Sequence, residues 1–324
     1  MTRRPTAETR ASFPAPVALC TFALALLATA CASASRTSYP QPAVIPHSAW
    51  EAHPPLGHSA VANRRNLAPG SAMTLAGLTL ELVSVTRAQT GATDTVQLRL
   101  KEGGSEDVVT AAEGAAFNWR GYHVAVVSAP APGELGGGLV AMEVGTLASL
   151  PAEVANSQVA GGAELRLRIP HEITHVTLHH TGSAEPLRPE DDPAAKLRGL
   201  QTWGASDRNW WDVPYHLLID LQGRVWQGRD WRYMGETNTT YDPRGHLLIS
   251  MIGNYERQEP TPAQLNTIAD LMAWGVTSFD VPLDRIGGHY DYAETGCPGR
   301  YLRGMLEDGT FRRMVEERIA RSNR

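Results

Sequence analysis

Cysteine is scarce in this chain: three in 324 residues, too few to staple a disulfide scaffold. A charge excess of one sign is also missing. Lys and Arg total 29 against 34 Asp and Glu, for a net charge of -5. That balance excludes a general nucleic-acid binder, which neutralises phosphates with clustered cations. The apolar stretch from Val17 to Ala30 falls short of the roughly 20 residues that span a bilayer. No internal repeat is visible. What is present is globular composition, 42% apolar and 19% charged. The length suits about two domains plus a tail. Thirty Gly and 22 Pro predict many turns and a loose linker.

The amino terminus reads as an address. Arg3, Arg4 and Arg10 precede the apolar stretch, which ends in small residues, a secretory signal pattern. Leu27-Ala28-Thr29-Ala30-Cys31 resembles the lipobox of bacterial lipoproteins. The resemblance implies that residues 1–30 are a signal peptide and that Cys31 is lipidated. With Ala32 next, rather than Asp, it implies an exported protein lipid-anchored in the outer membrane and facing the periplasm. An ordinary signal peptide cut near Ala30 is the alternative. Cys20 would leave with the leader, so Cys297 is the one thiol left in the mature domains. A lone thiol in an oxidising compartment is a liability or a ligand.

Residues 31–72 are rich in Ser, Pro, Ala and His and read as a tether, part of which, Ile45 to Ala52, is a candidate to pack on the last domain. Residues 73–164 carry short alternating strands: Leu78, Leu80, Leu82 and Val85; then Val96, Leu98 and Leu100; then Tyr122 to Val127 and Leu139 to Val144. They predict a small all-β, sandwich-like domain with no evident catalytic cluster, a spacer or docking unit. Over 165–324 strands and helices mix. Strands are expected at 165–169, 173–178, 215–220, 225–228 and 246–252, and helices at 190–202, after Thr261 and around Phe311 to Ile319. Gln222-Gly223 is a hairpin turn, and Thr261-Pro262-Ala263-Gln264 is a helix-opening capping box. The order predicts an α/β domain with a mixed central sheet flanked by helices.

Three places in this domain offer borderline metal ligands: His179-His180, His289, and Cys297 in Gly296-Cys297-Pro298-Gly299. Zinc takes His nitrogen and Cys sulfur, and a catalytic zinc keeps three protein ligands and one open position. Two His and one thiolate leave the site a net charge of about +1, still a Lewis acid able to activate water. Spacing alone leaves a zinc site and a chance scatter of histidines both open.

The surrounding segments are more specific. Ile173 to Thr181, Val213 to Asp220, Gly223 to Arg229, Ile249 to Tyr255, and Gly288 to Asp291 with Thr295 to Gly299 resemble, in order, the type 2 N-acetylmuramoyl-L-alanine amidases. That family includes phage amidases and peptidoglycan recognition proteins, and the resemblance covers about residues 165–305. It implies zinc (Zn2+) as cofactor, held by His179, His289 and Cys297. It implies Tyr215 as a hydroxyl near the metal that helps hold the attacked carbonyl or the water. It places Thr295 where some phage enzymes have Lys and many recognition proteins have Thr. Strand alternation lets only one of His179 and His180 face the metal, and the alignment selects His179. Ser48-Ala49-Trp50-Glu51-Ala52 resembles the segment that precedes the first strand in recognition proteins, which would make the β-domain an insertion.

The implied reaction is hydrolysis of the amide joining the lactyl group of N-acetylmuramic acid to L-Ala of the stem peptide. The implied partner is peptidoglycan, as muramyl peptide, with the membrane reached through the lipid anchor. Where recognition proteins that favour diaminopimelate often show Gly-Trp, this chain has Asp230-Trp231, so peptide preference stays open. So do the proton shuttle, any activator and the oligomeric state. One or two of Trp203, Trp210, Trp211, Trp226 and Trp231 are expected in the groove. The alternative function is a peptidoglycan-binding lipoprotein that does not cut.

Overall fold

The computed structural model describes residues 38–52, 55, 57–89, 93–134, 136–155 and 166–324. The expected signal peptide and Cys31 lie outside the described residues. Among the described residues no helix is long and apolar enough to cross a membrane.

In chain order the strands are β1 (Val44–Ile45), β2 (His58–Ser59), β3 (Ala62–Leu67), β4 (Ala72–Leu75), β5 (Leu78–Thr86), β6 (Thr95–Glu102), β7 (Ser105–Ala112), β8 (Ala116–Trp119), β9 (Tyr122–Ser128) and β10 (Val140–Thr146). They continue as β11 (Leu167–Arg168), β12 (His175–His180), β13 (Leu217–Ile219), β14 (Val225–Gln227), β15 (His246–Met251) and β16 (Ile286–Gly288). The helices are α1 (Ala152–Ala155), α2 (Pro193–Asp207), α3 (Pro262–Ser278), α4 (Arg300–Glu307) and α5 (Thr310–Ser322).

A mixed six-stranded sheet runs in the order β1-β14-β13-β15-β12-β16. β12 pairs in parallel with β15 and β16, and β13 with β14 is the antiparallel hairpin. Side-chain alternation divides the sheet into two faces. Val176, Leu178, Leu217, Ile219, Leu247, Ile249 and Met251 bury against Ile268, Leu271 and Met272 of α3 and Phe311 and Val315 of α5. Each such side chain contributes roughly 1.5–3 kcal/mol by leaving water. Leu218 and Trp226 point the other way, to Leu197 of α2 and to Trp50. The residues between Val176 and Leu178 and just after Leu178, Thr177 and His179, therefore lie on the face opposite α3.

Local chemistry explains the boundaries. Thr261 Oγ1 accepts the Gln264 N–H at 3.2 Å while Gln264 Oε1 accepts the Thr261 N–H at 3.0 Å, so α3 opens on a complete capping box. α2 starts three residues later than the expected 190, because Asp192 accepts the Ala194 N–H and Pro193 takes the first helical position. The β13–β14 hairpin closes on buried Asp220, which accepts from the N–H groups of Gln222 and Arg224 at 3.0 Å and from Trp226 Nε1 at 2.9 Å. Tyr215 precedes β13 by two residues instead of lying within it.

The all-β module holds two four-stranded sheets, β3-β10-β9-β8 and β4-β5-β6-β7. One apolar cluster joins them, with Leu80, Leu82, Leu98 and Leu100 from the second and Val124, Val126, Val140 and Met142 from the first. Its first strand, β3, lies at residues 62–67, inside the stretch read as tether. Ala-Asn-Arg-Arg-Asn-Leu hides its strand character, because its polar side chains find partners inside the module, Thr74 O and Glu143, and outside it, Glu236, Thr237 O and Asp242. Upstream, β1 adds to the central sheet beside Val225 and Trp226. Trp50 is 1% exposed, and its indole Nε1–H donates to Gln227 O at 2.6 Å. The chain thus packs on the α/β core, leaves it to build the two small sheets, and returns as β11, paired with β2.

Candidate metal centre

The register of two neighbouring strands assembles the first pair of ligands. Leu178 pairs with Gly288 across β12 and β16, so the next residue of each chain segment, His179 and His289, come side by side. Their ring centroids lie 4.7 Å apart. Cys297 arrives from the turn after β16. Gly299 closes that turn at φ 95°, donating its N–H to Gly296 O at 2.7 Å. A Cβ at Gly299 would sit 2.3 Å from the Tyr255 carbonyl carbon, so only glycine fits. Cys297 Sγ lies 3.6 Å from His179 Nδ1, and the ligand atoms of His179, His289 and Cys297 all fall within 4.8 Å of one another.

The donor types, two imidazole nitrogens and one sulfur, suit zinc. Bond lengths of about 2.0–2.3 Å to tetrahedral nitrogen and sulfur imply ligand atoms roughly 3.3–3.8 Å apart, which the 3.6 Å from Cys297 Sγ to His179 Nδ1 meets, within a set that spans up to 4.8 Å. The outer ring nitrogens are already engaged. Thr239 Oγ1 lies 2.7 Å from His289 Nε2, and Tyr241 Oη 3.5 Å from His179 Nε2. A histidine that uses one ring nitrogen in such a contact presents the other to a metal. The His180 N–H donates to Cys297 Sγ at 3.4 Å, which favours the thiolate a metal needs.

Burial sets the electrostatics. It pushes the Cys297 thiol up to about 12 and His289 down to about 4, and, with the neighbouring histidines, holds His179 well below 6.5. Burial, with Cys297 nearby, also raises the Tyr215 phenol far above its ordinary 10. The Tyr215 O–H donates to His180 O at 3.2 Å. Thr295 Oγ1 accepts the Cys297 N–H at 3.2 Å, tying it to the ligand turn. Asp291 does the same for the other ligand: its Oδ2 accepts the Gly288 N–H at 2.8 Å, just before His289.

A cleft of about 220 Å³ opens over these groups, lined among others by His179, His180, Tyr215, His289, Thr295 and Cys297. All five residues singled out in the sequence for metal binding or catalysis in this domain therefore line one cleft. His180 lines the cleft but is outside the group of three whose ligand atoms converge, and its Nδ1 accepts the Tyr255 N–H at 3.1 Å. Glu236 also lines the cleft, but its carboxylate meets Arg229 and Arg64, each at 3.4 Å. Of the tryptophans, Trp210 lines this cleft and Trp203 an adjacent, more apolar one. Trp211 and Trp226 are buried, and Trp231 packs on Phe279. Thr237, Thr239 and Tyr241 were not legible beforehand: they lie in an unpatterned loop, and nothing in their spacing announces contact with the histidines.

The buried neutral histidines make acid a specific threat. Burial drives His246 down to about 3 and His180 to about 4, each from 6.5. The unfolded chain binds these protons first, so their contribution is complete above pH 6.5 and shrinks as pH falls toward 4. Each then accounts for about 3 kcal/mol of lost stability. Denaturant midpoints should fall between pH 6.5 and 4.5, and His246→Asn should flatten that dependence; an unchanged slope would remove His246 as a cause.

Residues 170–300 match the family described as N-acetylmuramoyl-L-alanine amidase. Among curated proteins the chain is 31% identical over 143 residues to a mouse N-acetylmuramoyl-L-alanine amidase, covering 43% of this chain and 26% of that one. It is 28% identical over 159 residues to peptidoglycan recognition protein 1 of Bos taurus, covering 48% and 82%. Among solved structures, Manduca sexta peptidoglycan recognition protein-1 is 32% identical with a TM-score of 0.37, covering 42% of this chain and 77% of that one. The chain thus spans about a quarter of the mouse amidase's length.

Proposed function

We propose, taking residues 170–300 as a domain of the N-acetylmuramoyl-L-alanine amidase family, that this protein is a zinc-dependent hydrolase of peptidoglycan. The family match and the amidase-named relatives support peptidoglycan amidase activity. The observation that carries the zinc reading is the convergence of His179, His289 and Cys297 ligand atoms within 4.8 Å at a cleft. The bond cut is the amide between the lactyl group of N-acetylmuramic acid and L-Ala of the stem peptide.

Bound zinc supplies Lewis-acid polarisation of the attacked carbonyl and of the attacking water. The chain's own residues supply the rest. His179, His289 and Cys297 hold the ion. Tyr215, kept neutral by burial, has one O–H proton, which rests on His180 O at 3.2 Å and would turn from there to the oxygen that gains charge during attack. Thr295 spends its acceptor on the Cys297 N–H, which leaves its own proton to donate toward substrate. Glu236 is committed to two arginines and serves the cleft wall, not proton transfer. The anchor and location belong to the same proposal: lipidation at Cys31, supported by the lipobox resemblance, would hold the protein at the outer membrane within reach of the wall.

Purified sacculi incubated with the full chain and zinc provide the test. Mass spectrometry should show intact stem peptides beginning with L-Ala, and a chelator should stop their release. Binding without release would make the protein a peptidoglycan receptor, and cuts inside the stem would make it a peptidase.

A further inference from the structure

The edge strand β3 of the all-β module reaches the loop that touches both ligand histidines, residues 237–242. Asn66 Nδ2 donates to Thr237 O at 2.6 Å and to Thr239 O at 3.0 Å. Two carbonyls can only accept, so both amide protons are used and the side-chain orientation is determined. Arg65 donates to Thr240 O at 3.1 Å and pairs with Asp242 at 3.4 Å. Arg64, 4% exposed, pairs with Glu236 at 3.4 Å and donates to Arg208 O at 2.7 Å. Three consecutive side chains of one strand thus grip the backbone and flanks of a single loop.

That loop is the one whose hydroxyls meet the ligands. Thr239 contacts His289 Nε2, and Tyr241 contacts His179 Nε2. Thr237 Oγ1 accepts the Thr239 N–H at 3.0 Å and lies 2.8 Å from Thr239 Oγ1, so the hydroxyl of Thr239 is itself oriented. A path of hydrogen bonds runs from Asn66 through Thr237 and Thr239 to His289.

We propose that the all-β module is a brace for the metal centre, with Asn66 as a positioning residue that holds the 237–242 loop so that Thr239 and Tyr241 orient both ligand histidines. The module's role is therefore to fix the ring orientation and tautomer of ligands it never touches. The inference rests on the zinc reading above for its effect on affinity, but the grip on the loop stands independently of it.

Asn66→Asp tests the brace in the full chain. It keeps the shape of the side chain but turns an acceptor toward two carbonyls. Zinc affinity, read by chelator competition, should fall about 10-fold, the lower end for a lost partner of a ligating histidine. The absorption bands of the cobalt-substituted protein should shift, and kcat should fall with KM nearly unchanged. Arg99→Ala breaks an ion pair with Glu81 inside the same module, away from the loop, and should leave all three unchanged. Wild-type affinity and cobalt spectrum in Asn66→Asp overturn the proposal, whatever the thermal midpoint does. Should that variant fail to fold, Thr239→Val carries the same expectation and the same overturning result. If the wild-type chain binds no stoichiometric zinc, the functional reading fails instead, and hydrogen exchange decides the brace alone. Faster exchange of the 238–241 amides in Asn66→Asp supports it, and unchanged exchange overturns it.

Discussion

Replacing Cys297 with serine will leave a folded protein that no longer releases stem peptides. Cys297 is 8% exposed, and its sulfur is 3.6 Å from His179 Nδ1. Serine preserves the volume and the turn, but a neutral hydroxyl is a poor ligand beside a thiolate, and the remaining two histidines make an incomplete site. We expect kcat/KM on sacculi to fall by at least about 10³-fold, the scale of losing the metal's contribution to charge stabilisation. Zinc content should fall from one per chain to a small fraction, with the circular dichroism spectrum retained. Sacculus binding should survive, because the cleft walls are untouched. Full activity in the serine variant would remove Cys297 from the centre and overturn the His179–His289–Cys297 zinc reading, while leaving the protein a hydrolase.

Removing the hydroxyl of Tyr215 should produce the second-largest loss. The ring is tilted 45° to His179 with centroids 5.3 Å apart, and its O–H is tied to His180 O. In Tyr215→Phe the ring packing persists and one donor disappears. Removing one donor to a developing oxyanion costs about 10²–10³-fold in kcat. KM should stay within about twofold, since the donor matters more as charge develops than in the bound substrate. The stability cost should be only about 1 kcal/mol, from one lost hydrogen bond. Steady-state kinetics on a soluble muramyl peptide separate the two parameters. An equal rise in KM with unchanged kcat would make Tyr215 a binding residue.

The choice of His179 over its neighbour shows why part of the site could be read in advance. A strand turns successive side chains to opposite faces, so one of two adjacent histidines had to leave the centre. His180 is the one left out of the converging ligand atoms, and its Nδ1 takes the Tyr255 N–H instead. Tyr215 carried no such local signal. Its position just before β13 is irregular, and only the order of matched segments singled it out. Asn66 carried a misleading one: Arg64-Arg65-Asn66 lacks the apolar alternation of a strand, since its partners are carbonyls and carboxylates far along the chain, among them Glu143, Arg208 O, Glu236 and Thr237 O.

Periodicity and capping chemistry, contained in the chain itself, determined the α/β core and the opening of α3, and the resemblance of five ordered segments to a known family implied the three candidate ligands. The first two are properties of neighbours along the backbone, where spacing and side-chain type are enough. Only the tertiary structure decided that Ile45 to Trp50 belongs to the core, that β3 grips the 237–242 loop, and that this loop reaches both histidines. Those contacts join groups distant in the chain through hydrogen bonds to backbone carbonyls. Every residue has a carbonyl, so no residue type marks which one will be used.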